Sequence, residues 1–133
     1  MVNNLSDYPD CKLLNEKGLA FYLNQEYTEA LLTFKKVAAI VPYSATIWNN
    51  IGNTLSALKR QSEALAAYER ATILDPQFHA AYFNKGLLLA EMGAYGNALE
   101  SYAKAISICA DPLYIHAQSK IWLKNQLFPV FKK

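Results

Sequence analysis

The chain has 133 residues, room for one domain, and its 53% hydrophobic and 18% charged content is that of a folded chain, not a disordered one. A net charge of +2 is too small to point to nucleic acid or an acidic substrate. Cys11 and Cys109 lie almost a full chain apart with no paired spacing, which speaks for reduced thiols in the cytoplasm and against a disulfide framework or zinc site.

The opening residues MVNNLSDYPD hold no basic start followed by an apolar run, so no signal peptide is expected. No apolar stretch approaches the ~20 residues that a membrane span needs. Pro9 and Asp10 suit a helix start, proline because the first turn tolerates it and Asp as a cap for free backbone N–H groups. Leu14, Gly18 and Phe21 then recur at helical spacing on one face. Asn24-Gln25 ends that helix, and Thr28 is the expected cap of a second helix carrying Ala30, Phe34 and Val37, which stops before Pro42.

The pattern then returns. Trp48, Gly52 and Leu55 define a third helix; Lys59-Arg60-Gln61 turns the chain; Ala64, Tyr68 and Ala71 form the next stripe, closed by Asp75-Pro76. Tyr82, Gly86 and Leu89 follow, then a turn at Met92-Gly93, where glycine accepts the left-handed conformation, then Ala98, Tyr102 and Ala105. A shift of 34 residues superposes Gly18, Gly52 and Gly86, then Ala30, Ala64 and Ala98, then Phe34, Tyr68 and Tyr102. Such a period signals stacked helical hairpins, with repeats at about 11–44, 45–78 and 79–112. Glycine inside a helix costs up to ~1 kcal/mol against alanine, so three at one register need a packing reason. The expected reason is close approach of the two helices where glycine and alanine face each other, with Trp48, Phe34, Tyr68 and Tyr102 filling the space between hairpins.

Trp48, Gly52, Ala64, Tyr68, Ala71 and Pro76 closely resemble the tetratricopeptide repeat pattern, and the outer copies relax the first landmark to Leu14 and Tyr82. The resemblance spans residues ~11 to 112 and implies an all-α, right-handed solenoid of three hairpins. In the third unit Ala105 to Pro112 is two residues longer than Ala71 to Pro76, which leaves open a lengthened helix or a changed corner.

Residues 113–133 drop the pattern and read as a closing helix, with Leu113, Ala117, Ile121 and Lys124 sharing one face. Tyr114, Trp122, Leu123, Leu127 and Phe128 leave apolar groups elsewhere. Lys120, Lys124, Lys132 and Lys133 give this segment +4 with no acid, against −2 for residues 1–112. Three readings stay open: a plain cap with a loose LFPVFKK tail, a homo-oligomer contact through 113–133, and attachment to an acidic membrane surface, the least favoured.

No catalytic constellation appears. His79 and His116 lie in no metal-binding spacing, the five glycines form no phosphate loop, and carboxylates such as Glu29, Glu63, Glu69 and Glu100 fall on outer helix faces. No metal, cofactor or enzymatic activity is therefore expected, and the partner is a protein or peptide. The resemblance implies that the first helix of each hairpin lines a concave groove. Asn15, Leu19 and Tyr22, then Asn49, Asn50 and Asn53, then Phe83, Asn84 and Leu87 are its candidate contacts. Asparagine suits such a floor because its amide both donates and accepts, as a peptide backbone does; Asn50 and Asn84 are similar to the asparagine ladder of the repeats that precede O-linked N-acetylglucosamine transferases. The basic clamp of co-chaperone members is not matched. Where that pattern wants Lys, Asn, Asn, Lys and Arg, the chain has Asn15, Leu19, Asn50, Ala80 and Asn84, so a doubly charged terminus loses its charge-assisted bonds. The expected function is a peptide-binding adaptor; the alternatives are a self-associating assembly factor and the repeat portion of a larger enzyme.

Overall fold

A computed structural model describes residues 5–127, which hold seven α-helices and no strand. After a short 3-10 turn, Leu5–Asp7, come α1 (Pro9–Leu23), α2 (Tyr27–Ile40), α3 (Ala45–Ala57), α4 (Gln61–Leu74), α5 (His79–Glu91), α6 (Tyr95–Ile108) and α7 (Pro112–Leu127). The all-α class expected from the sequence is what is seen. The chain divides into two compact units, residues 1–75 and 76–133. In the first, hairpins α1/α2 and α3/α4 pack through α2 against α3; in the second, α5/α6 is followed by α7 lying on α6. No described helix is long and apolar enough to cross a membrane.

The hairpin turns share one device. Gln25, Lys59 and Gly93 each take a left-handed backbone, with φ of 63°, 63° and 81°. In each, the next N–H reaches back to the helix: Glu26 to Phe21, Arg60 to Leu55 and Ala94 to Leu89, at 2.8–2.9 Å. These are Schellman closures, which satisfy carbonyls that the helix end leaves free. Only the third uses glycine.

The starts of the second helices differ from expectation. Pro9 does stand in the first turn of α1, but Asp10 makes no capping bond, and Thr28 lies inside α2, which begins at Tyr27. The tight turn brings the chain into helix too early for Thr28 to act as a cap. Ser44 caps α3 instead, its Oγ accepting from the Ile47 N–H at 3.3 Å.

The glycine register has a sharper cause than expected. A Cβ on Gly18 would lie 2.5 Å from the Phe34 ring, one on Gly52 2.6 Å from the Tyr68 ring, and one on Gly86 2.5 Å from the Tyr102 ring. The glycine thus meets the aromatic of its own hairpin, and the ring fills space inside the hairpin, not between hairpins. Ala30, Ala64 and Ala98 are fully buried, as are Val37, Ala71 and Ala105 one turn beyond the rings. Each buried ring contributes roughly 1.5–3 kcal/mol of apolar transfer, more than the glycine costs.

The third corner is changed and its helix is not lengthened: α4 and α6 both have 14 residues. Pro112 is the first residue of α7, and the Asp111 carboxylate accepts from the Leu113 N–H at 2.8 Å. On α7 the buried residues are Tyr114, Ile121 and Asn125, so the face expected from Leu113, Ala117, Ile121 and Lys124 is rotated. Leu113 and Lys124 are exposed because the early start at Pro112 turns Tyr114 inward. Trp122, Leu123 and Leu127 are exposed as expected; Phe128, Phe131, Lys132 and Lys133 lie outside the described residues.

Candidate functional site

In the first unit α1 and α3 meet through a side-chain amide pair: Asn50 Nδ2 donates to Asn15 Oδ1 at 2.8 Å. Asn15 is buried and Asn50 half-buried, so the pair sits at the surface between the helices. It engages one donor of Asn50 and one acceptor of Asn15, a fraction of what two amides offer. The Asn50 backbone carbonyl accepts from the Thr54 hydroxyl at 2.8 Å, adding a second bond on this stretch of α3. No residue of α3 is charged, so hydrogen bonding and apolar contact are what this face offers.

Its neighbours divide into presented and packed residues. Leu19 is 38% exposed on α1, and Tyr22 lies edge-on to Tyr27 with ring centres 5.3 Å apart. Burial, and then the adjacent Tyr27, raises the Tyr22 hydroxyl above the ordinary tyrosine value, favouring the neutral donor. Asn49 is buried, and Asn53 Oδ1 accepts from the Tyr68 hydroxyl at 2.6 Å. Asn53 therefore holds the ring that covers Gly52.

In the second unit Asn84 occupies the register of Asn50 and is half-buried, with Leu87 exposed a turn beyond it. Phe83 is buried and stacked on Tyr114 of α7, centroids 4.3 Å apart, and also lies 5.5 Å from the Tyr102 ring. The Tyr114 hydroxyl is hydrogen-bonded to His79 Nδ1 at 2.8 Å. Phe83 is thus placed to hold α7, with little ring surface left to offer.

The sequence reading missed the Asn15–Asn50 pair and the Phe83–Tyr114 stack. The first had a signal: the two residues are 35 apart, one more than the repeat, which sets successive first helices side by side. The second had none, because the shifted start of α7 hides its register. Both cysteines are free thiols, and among the described residues no three His, Cys, Asp or Glu side chains gather as a metal site.

A family model described as tetratricopeptide repeat matches residues 49–112. The peroxisomal targeting signal receptor of Candida albicans is 34% identical over 91 residues, which is 68% of this chain and 15% of that receptor. The heat-shock protein cognate co-chaperone sgt12 of Aspergillus fumigatus is 29% identical over 98 residues, 74% of this chain and 29% of the co-chaperone. This chain therefore spans less than a third of the length of either relative. Among solved structures, the tetratricopeptide domain of Sgt2 from Aspergillus fumigatus superposes with a TM-score of 0.85 at 24% identity, over 89% of this chain and 80% of that one. The first such domain of Spaghetti (RPAP3), bound to the HSP90 peptide SRMEEVD, gives 0.82 at 20% identity, over 86% and 91%. With its glycines, rings and Schellman turns at one register, the chain belongs to the tetratricopeptide repeat family.

Proposed function

We propose that the protein is a non-enzymatic cytoplasmic adaptor that holds an extended peptide segment of a partner on the first helices of its hairpins. The observation that carries this is the Asn15–Asn50 amide pair on an uncharged α3. Fixing one amide by the other pre-orients the remaining donor and acceptor toward a peptide backbone, which lowers the entropy lost on binding. Leu19 and Tyr22 supply the adjoining apolar contacts; Asn84 and Leu87 are their counterparts in the second unit. Asn49, Asn53 and Phe83 support these contacts from below.

The reading also says which peptides are excluded. Spaghetti's domain is bound to the HSP90 peptide SRMEEVD; here the positions at which the co-chaperone pattern wants its basic clamp, Asn15, Leu19, Asn50, Ala80 and Asn84, carry no cation. Peptides selected from a random library should therefore be low in charge and bind with little salt dependence. Replacing Asn50 and Asn84 together by alanine should weaken the selected peptides by about ten-fold or more while the circular dichroism stays unchanged. Equal affinities for parent and double variant refute the proposal, as does preferential capture of acidic C-termini.

A further inference from the structure

The helix α3 serves a second surface besides the asparagine pair. Ile51 and Leu55 lie about 100° and 140° around the helix from Asn50. They form the floor of a groove of about 680 Å³ in the first unit, with Lys35 of α2 on one side and Ala66 and Arg70 of α4 on the other. The α4 residues that line it run from Glu63 to Leu74, about 16 Å or three helical turns.

This lining differs in kind from the asparagine face. Its floor is aliphatic, and the Trp48 indole N–H beside it already donates to the Pro42 carbonyl at 2.9 Å. An extended main chain laid there would leave its own N–H and C=O groups without partners, whereas a helix satisfies them internally. Tyr43 is 62% and Ile73 77% exposed along the groove. Arg70 stacks on Trp48, its guanidinium carbon 5.0 Å from the ring centre. The stack fixes the plane of the guanidinium and leaves its N–H fork at the edge, ready for a carboxylate. Lys104 repeats the stack over Tyr82 at 5.9 Å in the second unit, without a fork. Tyrosine, tryptophan and arginine are also the side chains that most often carry binding energy between proteins.

The charges of the groove select its occupant. Lys35, Glu63, Glu69 and Arg70 are the charged side chains that line it. Glu63 is committed, since its two oxygens accept from Arg60 at 2.8 and 2.7 Å. Glu69 follows the buried Ala67 by two residues, about 200° around α4, which turns it out to the rim; it also has a contact of its own. Lys35 and Arg70 are left facing each other from opposite walls over an apolar floor. We propose that this groove takes an acidic amphipathic helix of a partner protein. Its apolar stripe lies on Ile51, Leu55 and Ile73, and carboxylates on its two flanks pair with Arg70 and Lys35. The site stands apart from the asparagine face and does not depend on it.

The test displays single helices, randomised along one face of a folded helical scaffold, and selects them on the full chain carrying Asn50→Ala and Asn84→Ala, so that the asparagine face does not compete. Short unstructured library peptides would first have to form a helix, so they do not report on this groove. The selected helices should carry acids on both sides of an aliphatic or aromatic stripe and bind the parent chain equally well. Surface plasmon resonance should show their affinity falling with salt, and at least about ten-fold on Arg70→Ala and on Ile73→Lys. Arg70→Lys should restore only part of the loss, because the charge returns without the fork. The proposal is overturned if no helix is selected, if the selected helices are neutral or basic, or if either Arg70→Ala or Ile73→Lys leaves their affinity unchanged. Sedimentation showing a dimer that Ile73→Lys dissociates also overturns it, by assigning the groove to a second copy.

Discussion

Replacing Gly52 by alanine sets two effects against each other. In an open helix the change is favourable by about 1 kcal/mol, because alanine has the better helix propensity. Here the new methyl would stand 2.6 Å from both Cδ1 and Cε1 of Tyr68. The ring is buried, and its hydroxyl is held by Asn53 at 2.6 Å, so swinging away costs a hydrogen bond as well as packing. Overpacking of this kind costs about 1–3 kcal/mol, and rigid ring carbons place it at the upper end. The net expectation is a loss of about 2 kcal/mol, a fall of roughly 8 °C in the melting midpoint for a chain of this size. In a Tyr68→Ala background the obstruction is gone, and the same Gly52→Ala change should stabilise by about 1 kcal/mol. Urea unfolding of the four proteins, followed by far-ultraviolet circular dichroism, closes the cycle with a coupling of about 3 kcal/mol. A stabilising Gly52→Ala in the parent, or equal effects in both backgrounds, refutes the reasoning.

Lys59→Gly and Gln25→Gly should each stabilise by about 0.5–1 kcal/mol, since a side chain in the left-handed region costs roughly 1–2 kcal/mol and glycine's backbone freedom returns part of it. Gly93→Ala should move the other way, and thermal melts of the three variants check the signs. Asn125 Oδ1 is buried with no hydrogen-bond partner; Asn125→Leu should therefore raise the urea midpoint by an amount equivalent to about 1 kcal/mol, and a drop would show that the amide is needed. Burial pushes the Tyr102 hydroxyl from the ordinary 10.0 up to about 12. The folded protein holds that proton more tightly than the unfolded chain, so the stabilisation is intact below pH ~10 and is lost as the pH rises from there toward ~12. The urea midpoint should fall more steeply across that window in the parent than in Tyr102→Phe; parallel curves would remove Tyr102 as the cause.

The hairpins were legible because their tight contacts are local. Gly52 and Tyr68 lie 16 positions apart at a register repeated three times, and a pattern at fixed spacing shows in one sequence. What that reading could not supply was direction: which ring the glycine touches depends on how the helices rotate, and Phe34, Tyr68 and Tyr102 point inward to their own hairpins. The candidate site was legible in residue type and not in availability. Asn50 and Asn53 are both half-buried, but Asn50 bonds across to Asn15 of the preceding hairpin while Asn53 is held by Tyr68 of its own, and nothing in their shared chemistry separates them. The face of α7 was legible only in part: Ile121 is buried as expected, but Tyr114 and Asn125 take the inner places expected of Leu113 and Lys124, and no repeat register was there to fix the rotation of this helix.

The glycine–ring contact also bears on how such a chain is inherited. Each hairpin carries both halves of its tightest contact within one stretch of sequence, so a duplicated 34-residue segment arrives with lock and key already matched. Gain or loss of a whole hairpin leaves every remaining lock intact, whereas a gain or loss of one residue between glycine and ring breaks one at once. The corner before Pro112, where the spacing of helix starts falls from 34 to 33 residues, is spanned by no such lock.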